Sequence, residues 1–383
     1  MTTHAFETLF VTGMQRSGTS LLGRLLGGHP ALSILSQPFP LVFLQAKRDF
    51  LRSCGDPGGR YPLDPLFLEQ RFTVDEFTRF LSAYRLDVGT LTRVFADMAS
   101  FDGQYTRPHP DVLARALARL EPDDFHGTVS QLYRDLSFDP AARLFGGKET
   151  ICEEFVPHLL ERGARCLMII RDPRDVWASL HDGRGPEFGG RPKPTLFVAR
   201  HWRKSVAFAL HLASHPRFAW VRYEDLVTRP LACLDQFAAT LEIEPFADTM
   251  LAAALSDGAG GAWPGNSSHT VHHGISRASV GGYRTRVPLH VTAYLEAVCY
   301  PELRCLGYPT ALDRRDLAAA VLEFREPFPI EREGLEHYST DPAHQQAELR
   351  RAELLAEDAT PETRPYFLFD DVRARLRRAV AAA

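Results

Sequence analysis

An apolar run, Thr8-Leu9-Phe10-Val11-Thr12, breaks at Gly13, passes through Met14-Gln15-Arg16-Ser17-Gly18-Thr19-Ser20, and resumes as Leu21-Leu22. A buried strand that must turn at once into an apolar helix is the opening of a parallel α/β sheet, so this junction restricts the fold more than any other stretch. Its loop is also an anion cradle. Backbone N–H groups and the positive end of the helix converge on one spot, and Arg16 supplies a full positive charge. Gly13, Gly18 and Ser20 nearly satisfy the G-x-x-x-x-G-K-[ST] pattern, but Thr19 stands where the lysine of nucleotide-triphosphate sites would be. With the cation moved into the loop, the pattern points to a phosphate ester handled without the usual triphosphate and magnesium apparatus.

A second junction repeats the design. Arg165-Cys166-Leu167-Met168-Ile169-Ile170 reads as a buried strand and runs directly into Arg171-Asp172-Pro173-Arg174-Asp175-Val176-Trp177-Ala178-Ser179. Asp172 suits an N-cap, Pro173 the first helical position, and Asp175 an acidic variant of the capping box. Arg171 then sits at the carboxyl tip of a strand, where ligands of open α/β sheets collect. Ser179 lies roughly 9 Å further along the helix, within range of the same phosphate. Two phosphate sites on one sheet imply a doubly phosphorylated nucleotide.

Arg16-Ser17-Gly18-Thr19-Ser20, with Arg171 and Ser179 about 155 residues on, resembles the 5'-phosphosulfate loop and 3'-phosphate motif of sulfotransferases that use 3'-phosphoadenosine 5'-phosphosulfate (PAPS). The similarity is to the bacterial branch related to tyrosylprotein sulfotransferases. Gly147-Lys148-Glu149, Arg222 to Val227, Gly274-Ile275-Ser276, Ser279-Val280-Gly281 and Leu306-Gly307-Tyr308 extend it in order from about residue 7 to 310. The resemblance implies a P-loop-type central parallel sheet flanked by helices, and sulfuryl transfer from PAPS to a hydroxyl or amine, leaving PAP. It implies cofactor contacts from Arg16, Ser17, Gly18, Thr19, Ser20, Arg171, Ser179, Tyr223, Ser267 and His273, the last two in a loop over the adenosine end. Lys148 matches the family's catalytic lysine, and no metal is required. By residue type alone, Lys148 could equally be a solvated edge-strand lysine and Tyr223 a packing tyrosine.

The remaining sequence is organised around this frame. Residues 40 to 140 change to helical patterns broken by Gly55-Asp56-Pro57-Gly58-Gly59 and Arg107-Pro108-His109-Pro110, a helical insertion suited to an acceptor. Strands are expected around 144–148, 165–170 and 217–222, giving a sulfotransferase domain over 1–310. Residues 311–383 form a charged, alanine-rich, helical extension, with a helix near 341–357 and an apolar patch at Tyr366-Phe367-Leu368-Phe369; an oligomer contact and packing against the acceptor lid are both open. The net charge of -4 argues against a general nucleic-acid binder. No apolar run approaches the roughly 18 residues of a membrane span, and no signal-like segment opens the chain, so a cytoplasmic protein is expected. The six cysteines show no C-x-x-C pair and read as free thiols. His269, His272 and His273 match no usual zinc spacing.

The catalytic base is the departure. The resemblance would put a glutamate after His29-Pro30, and Gln37 stands there; the alternative histidine two residues after the lysine is Thr150. Open explanations are another base (Glu149, Glu153, His109 or His126), an acceptor needing little base help, a different donor or reaction, or a protein that binds PAP or PAPS without turnover. Gln37 could instead orient the acceptor through hydrogen bonds. A kinase with a degenerate P-loop is the other reading, against which stand the missing lysine and the lack of a magnesium-binding acidic strand end.

Overall fold

The computed structural model describes residues 7–55, 72–99, 106–137, 139, 141–181, 192–256, 263, 274–330, 335, 338–361 and 363–382. In chain order the first elements are β1 (Glu7–Thr12), α1 (Thr19–Leu26), β2 (Leu32–Ser36), α2 (Pro40–Ser53), α3 (Val74–Ala83), α4 (Val88–Ala99), α5 (Pro110–Arg119) and α6 (Phe125–Asp135). Next come β3 (Leu144–Lys148), α7 (Val156–Glu161), β4 (Arg165–Ile170), α8 (Pro173–His181), α9 (Thr195–Leu212), β5 (Phe218–Arg222), α10 (Tyr223–Thr228), α11 (Pro230–Leu241) and α12 (Asp248–Ala254). The chain ends with α13 (Tyr283–Arg286), α14 (Leu289–Val298), α15 (Tyr300–Cys305), α16 (Leu317–Leu322), α17 (Pro342–Ala356) and α18 (Asp370–Ala381).

Two compact units divide these elements. The first takes Met1–Pro57, Val74–Ile170 and Leu212–Arg277, and holds the five strands found among the described residues in one parallel sheet of order β2-β3-β1-β4-β5. This is the expected α/β class, a central parallel sheet with helices around it. Helices join the parallel strands and cover the sheet, so β4 is apolar and buried along its whole length after Arg165. Arg165 itself is neutralised at the strand's start by Glu7 and Glu242. One apolar layer joins Leu22, Leu25 and Leu26 of α1 to Leu9, Val11, Leu167, Ile169 and Val221 of the sheet. β1 and β4, the strands that launch the two junctions, lie side by side, with Thr12 opposite Met168.

Five helices, α2 to α6, lie among the described residues of 40–140, and the stretch outside 58–73 belongs to this first unit. An aromatic core holds them together: Phe43 meets Phe10, Phe125 and Phe155 at ring-centroid distances of 5.4, 5.1 and 4.8 Å. The second unit takes Gly58–Thr73, Arg171–His211 and Ala278–Ala383. Its central element is α9, buried from Thr195 to Leu210. The Phe367-Leu368-Phe369 patch is used inside this unit: Phe369 stacks on His211 at 3.9 Å, and the guanidinium of Arg351 lies over Phe367. The helix expected near 341–357 is α17, and its acidic Glu353, Glu357 and Asp358 face solvent. All six cysteines are free thiols.

Candidate active site

The cradle at the end of β1 is built from backbone conformations that few residues tolerate. Arg16 and Gly18 both have positive φ, 65° and 96°, bending the chain twice within three residues. Such alternation curls successive N–H groups into a concavity of the kind that holds anions. Gly18 is required twice over: its φ is left-handed, and a Cβ there would lie 2.4 Å from Cδ2 of Tyr223. Tyr223 therefore packs against the loop and belongs to the core layer of the sheet as well, the packing reading of this residue. Gly13 is held as closely, since a Cβ would come 2.5 Å from the Ile169 carbonyl of β4.

The hydroxyl of Ser17 is buried and has no hydrogen-bond partner among the described residues. A polar group kept out of water without a partner costs about 1–3 kcal/mol, and an anionic ligand in the loop is a natural acceptor for it. Thr19 is also buried, at the first position of α1, while Ser20 is half-buried. The loop thus fits a phosphate or sulfate ester on structural grounds.

Lys148 closes β3 and is 2% exposed. β3 lies between β2 and β1, so the reading of a solvated edge lysine is corrected: this is an interior strand and a buried side chain. Its stem passes Gly23 of α1, where a Cβ would sit 3.6 Å from Cβ of Lys148. Its Nζ donates to Oε1 of Gln37 at 2.8 Å, and the Gln37 N–H donates to the Lys148 carbonyl at 2.7 Å. The two residues expected to act at the reacting centre are thereby brought together. Burial holds the Lys148 ammonium below its ordinary pKa, and the nearby Arg16 charge pushes the same way.

Glu149 carries out a task that its residue type alone did not indicate. Its Oε1 accepts the Phe39 N–H at 2.8 Å, two residues beyond Gln37, and burial raises its pKa. The Glu149 and Ile151 N–H groups donate to the carbonyls of Val11 and Gly13, which ties the segment after Lys148 to the loop. The other proposed bases are elsewhere engaged. Glu153 is fully buried, His126 Nε2 meets the Ser130 hydroxyl at 3.2 Å, and exposed His109 caps α5. His29 is structural, accepting the Ala31 N–H and setting its ring at a tilt against Phe246.

In the second unit, Arg171 and Ser179 are both buried, at 7% and 5% exposure. The Arg171 carbonyl accepts from Trp202 Nε1 at 2.7 Å, and its guanidinium donates to the Ser279 carbonyl at 2.7 Å. Asp172 accepts from the Arg174 backbone N–H at 3.0 Å, the short-range contact an N-cap aspartate makes. Asp175 has a long-range role that the capping-box reading did not foresee: its carboxylate takes the N–H groups of Gly281 and Tyr283 at 2.6 and 2.8 Å. The stretch from Ser279 to Tyr283, flagged by the motif pattern, is pinned to α8 in this way. Ser267 and His273, with His269 and His272, lie outside the described residues. No cluster of three or more His, Cys, Asp or Glu suited to a metal occurs among the described residues.

A parallel sheet whose first strand delivers a glycine-bounded, arginine-bearing loop to a helix, with a buried lysine on the neighbouring strand, has the P-loop-type α/β arrangement. Residues 8–248 match the model of the Sulfotransferase family, and the chain belongs to that family. No curated protein sequence matches it. Among solved structures it is similar to a sulfotransferase domain from the curacin biosynthetic pathway, at 19% identity over 85% of this chain and 100% of that one, with a TM-score of 0.41. It is also similar to a sulfotransferase domain of a Synechococcus olefin synthase, at 18% identity over 84% and 95% of the two chains, TM-score 0.42. A mouse sulfotransferase complexed with PAP matches at 12% identity over 79% and 87%, TM-score 0.39. No helix among the described residues is long and apolar enough to cross a membrane.

Proposed function

We propose that this protein transfers the sulfuryl group of PAPS to a hydroxyl or amine of a small-molecule acceptor. The observation that carries the reading is the buried Lys148–Gln37 pair on the strand beside the Arg16 loop, in a chain of the sulfotransferase family. Arg16, Ser17, Gly18, Thr19 and Ser20 hold the 5'-phosphosulfate. Arg171 and Ser179 take the 3'-phosphate, while Tyr223, Ser267 and His273 serve the adenosine side. In the displacement, the acceptor atom bonds to sulfur as the bridging S–O bond breaks, the electron pair leaves on the phosphate oxygen, and the acceptor's proton is released to solvent. Lys148 and Arg16 stabilise that growing charge, a role in which preorganised cations contribute most of a rate enhancement without a metal.

The test is a thermal-shift comparison of PAP with ADP and ATP, each with and without magnesium. Saturation at about 100 times the dissociation constant adds roughly 2.7 kcal/mol, a rise of a few degrees for a chain of this size. The expected outcome is a magnesium-independent shift with PAP, absent in Arg171→Ala. A shift confined to magnesium-ATP would replace this reading with a kinase, and equal PAP affinity in Arg171→Ala would remove the 3'-phosphate assignment.

A further inference from the structure

We infer that a strap from the extension, residues 323–330, is a positioning clasp for the 3'-phosphate site, with Glu326 and Phe328 setting how α8 presents Arg171 and Ser179. The inference rests on the donor-site reading above and concerns residues beyond 8–248, the span that matches the family.

Hydrogen-bond direction carries the first half of it. An indole N–H donates and cannot accept, so Trp177 Nε1, 2.9 Å from Thr195 Oγ1, makes that hydroxyl an acceptor. The hydroxyl's own proton is left for Oε1 of Glu326 at 2.7 Å, while Oε2 takes the Thr195 N–H at 2.9 Å. Trp177 is 4% exposed and Thr195 fully buried, so a chain of buried donors runs from α8 through α9 and ends on a carboxylate of the strap. Thr195 opens the 18-residue α9, where N–H groups lack partners within the helix and negative charge is favoured. Glu326 therefore caps α9 from outside it.

Phe328 makes the second contact. The His181 ring lies between Trp177 and Phe328, with centroids 4.0 and 5.0 Å away and interplanar angles of 20° and 26°. Trp177 and His181 are about one turn apart on α8, and Ser179, two residues from each, points to the opposite side at 3.6 residues per turn. The strap thus grips α8 from behind Ser179. At the other end of α8, Trp202, about two turns after Thr195 on the same face of α9, donates to the Arg171 carbonyl at 2.7 Å. Capping α9 consequently fixes both residues against one helix. The strap is itself anchored: Phe324 is buried and stacks on Tyr294 of α14 at 4.0 Å, and Gln345 of α17 donates to the Leu322 carbonyl at 3.3 Å.

Two side chains eight residues apart touch one phosphate only if their separation is held to about 0.5 Å, which takes supporting packing and hydrogen bonds. α8, nine residues long, is too short to hold itself. Its support comes from α9 and, through Thr195 and His181, from the strap.

The test compares the dissociation constants of the full chain for PAP and for adenosine 5'-monophosphate (AMP), which lacks the 3'-phosphate. Thr195→Val removes the hydroxyl at nearly constant shape, Thr195→Ser keeps it, and Phe328→Leu removes the outer ring of the stack. The AMP-to-PAP ratio should fall about tenfold in Thr195→Val and about threefold in Phe328→Leu, with AMP affinity unchanged and most of the wild-type ratio kept in Thr195→Ser. All titrations are run well below each variant's melting temperature; should Thr195→Val fail to fold, Glu326→Gln, which loses one acceptor oxygen, takes its place with the same expected direction. A ratio that stays at the wild-type value, equal losses for PAP and AMP, or a Thr195→Ser ratio as low as that of Thr195→Val overturns the inference, because a merely structural role predicts these outcomes. A wild-type protein that binds PAP and AMP equally refutes the 3'-phosphate reading itself, and the clasp with it.

Discussion

Lys148 is buried at 2% exposure, and its ammonium keeps a hydrogen bond to Gln37, a residue in the left-handed conformation. Replacing Lys148 by alanine removes a charge that acts on the leaving group and leaves the Arg16 loop intact. The expected outcome is turnover reduced at least about tenfold with PAP affinity retained, checked by single-turnover rates beside a PAP titration. Retained full activity would end the catalytic assignment. Gly18 makes a separate case, because alanine there meets both the 96° φ and the Tyr223 ring at 2.4 Å. Gly18→Ala should lose about 1–3 kcal/mol of stability and weaken PAP binding, measured by urea unfolding and by titration. Both residues were legible as candidates, because a glycine-bounded loop and a lysine at a strand end carry their own signal. The Lys148–Gln37 bond and the Glu149 anchor were not, since they join positions more than a hundred residues apart in chain order.

At the scale of elements, strand-into-helix junctions announce themselves through apolar runs ending at glycine or at Asp-Pro, as in β1 and β4, and β3 and β5 also fall where strands were expected. What escaped is how one element fastens another. Asp175 looked like a local capping residue, and only the fold reveals the Gly281 and Tyr283 amides that it binds. His158 on α7 is a comparable case. Its side chain is fully buried, with Nδ1 3.3 Å from the Ser82 hydroxyl of α3 and Nε2 4.0 Å from Asp124, which Arg162 already neutralises at the start of α6. Burial lowers its pKa from 6.5 to about 4, with Asp124 opposing the shift and His126 and Arg162 adding to it. The unfolded chain therefore binds the proton more readily than the folded one between these values. Stability from this group is complete above about pH 6.5 and declines as pH falls toward 4, by at most roughly 3 kcal/mol. His158→Asn should flatten that slope relative to wild type in urea unfolding between pH 7 and 4; identical slopes would show that His158 does not titrate across folding.

Across the whole chain, the largest difference between sequence and structure lies in the residues after 310, where the sequence showed a charged, alanine-rich stretch with one helix and an apolar patch but no partner for either. α17 delivers Glu348 into a buried position against Arg200 and Arg203 of α9, with oxygen–nitrogen distances of 3.0 and 2.5 Å, and Arg351 against Glu302 of α15. The two arginines hold Glu348 down at about pKa 2 despite complete burial, so it stays ionised throughout the working pH range. Periodicity could find the helix, but charged residues on a buried face read as solvated until their partners on α9 and α15 are known. Removing one member of such a network leaves the others charged and out of water, which costs about 3–5 kcal/mol, whereas replacing a whole set by apolar side chains of similar volume is often neutral. Glu348→Gln should accordingly lower the unfolding free energy by about that amount, and Glu348→Leu combined with Arg200→Met and Arg203→Met should recover much of it. A chain ended at residue 340 is the more severe case, because it strands Arg200, Arg203 and Glu302 and uncovers Phe208 and His211, on which Phe369 packs. That shortened chain should aggregate, or melt well below the full chain, even though it contains all of residues 8–248, the span that matches the family. A shortened chain that melts with the full-length protein would mean that the buried charges are solvated in solution and that α17 is dispensable to the second unit.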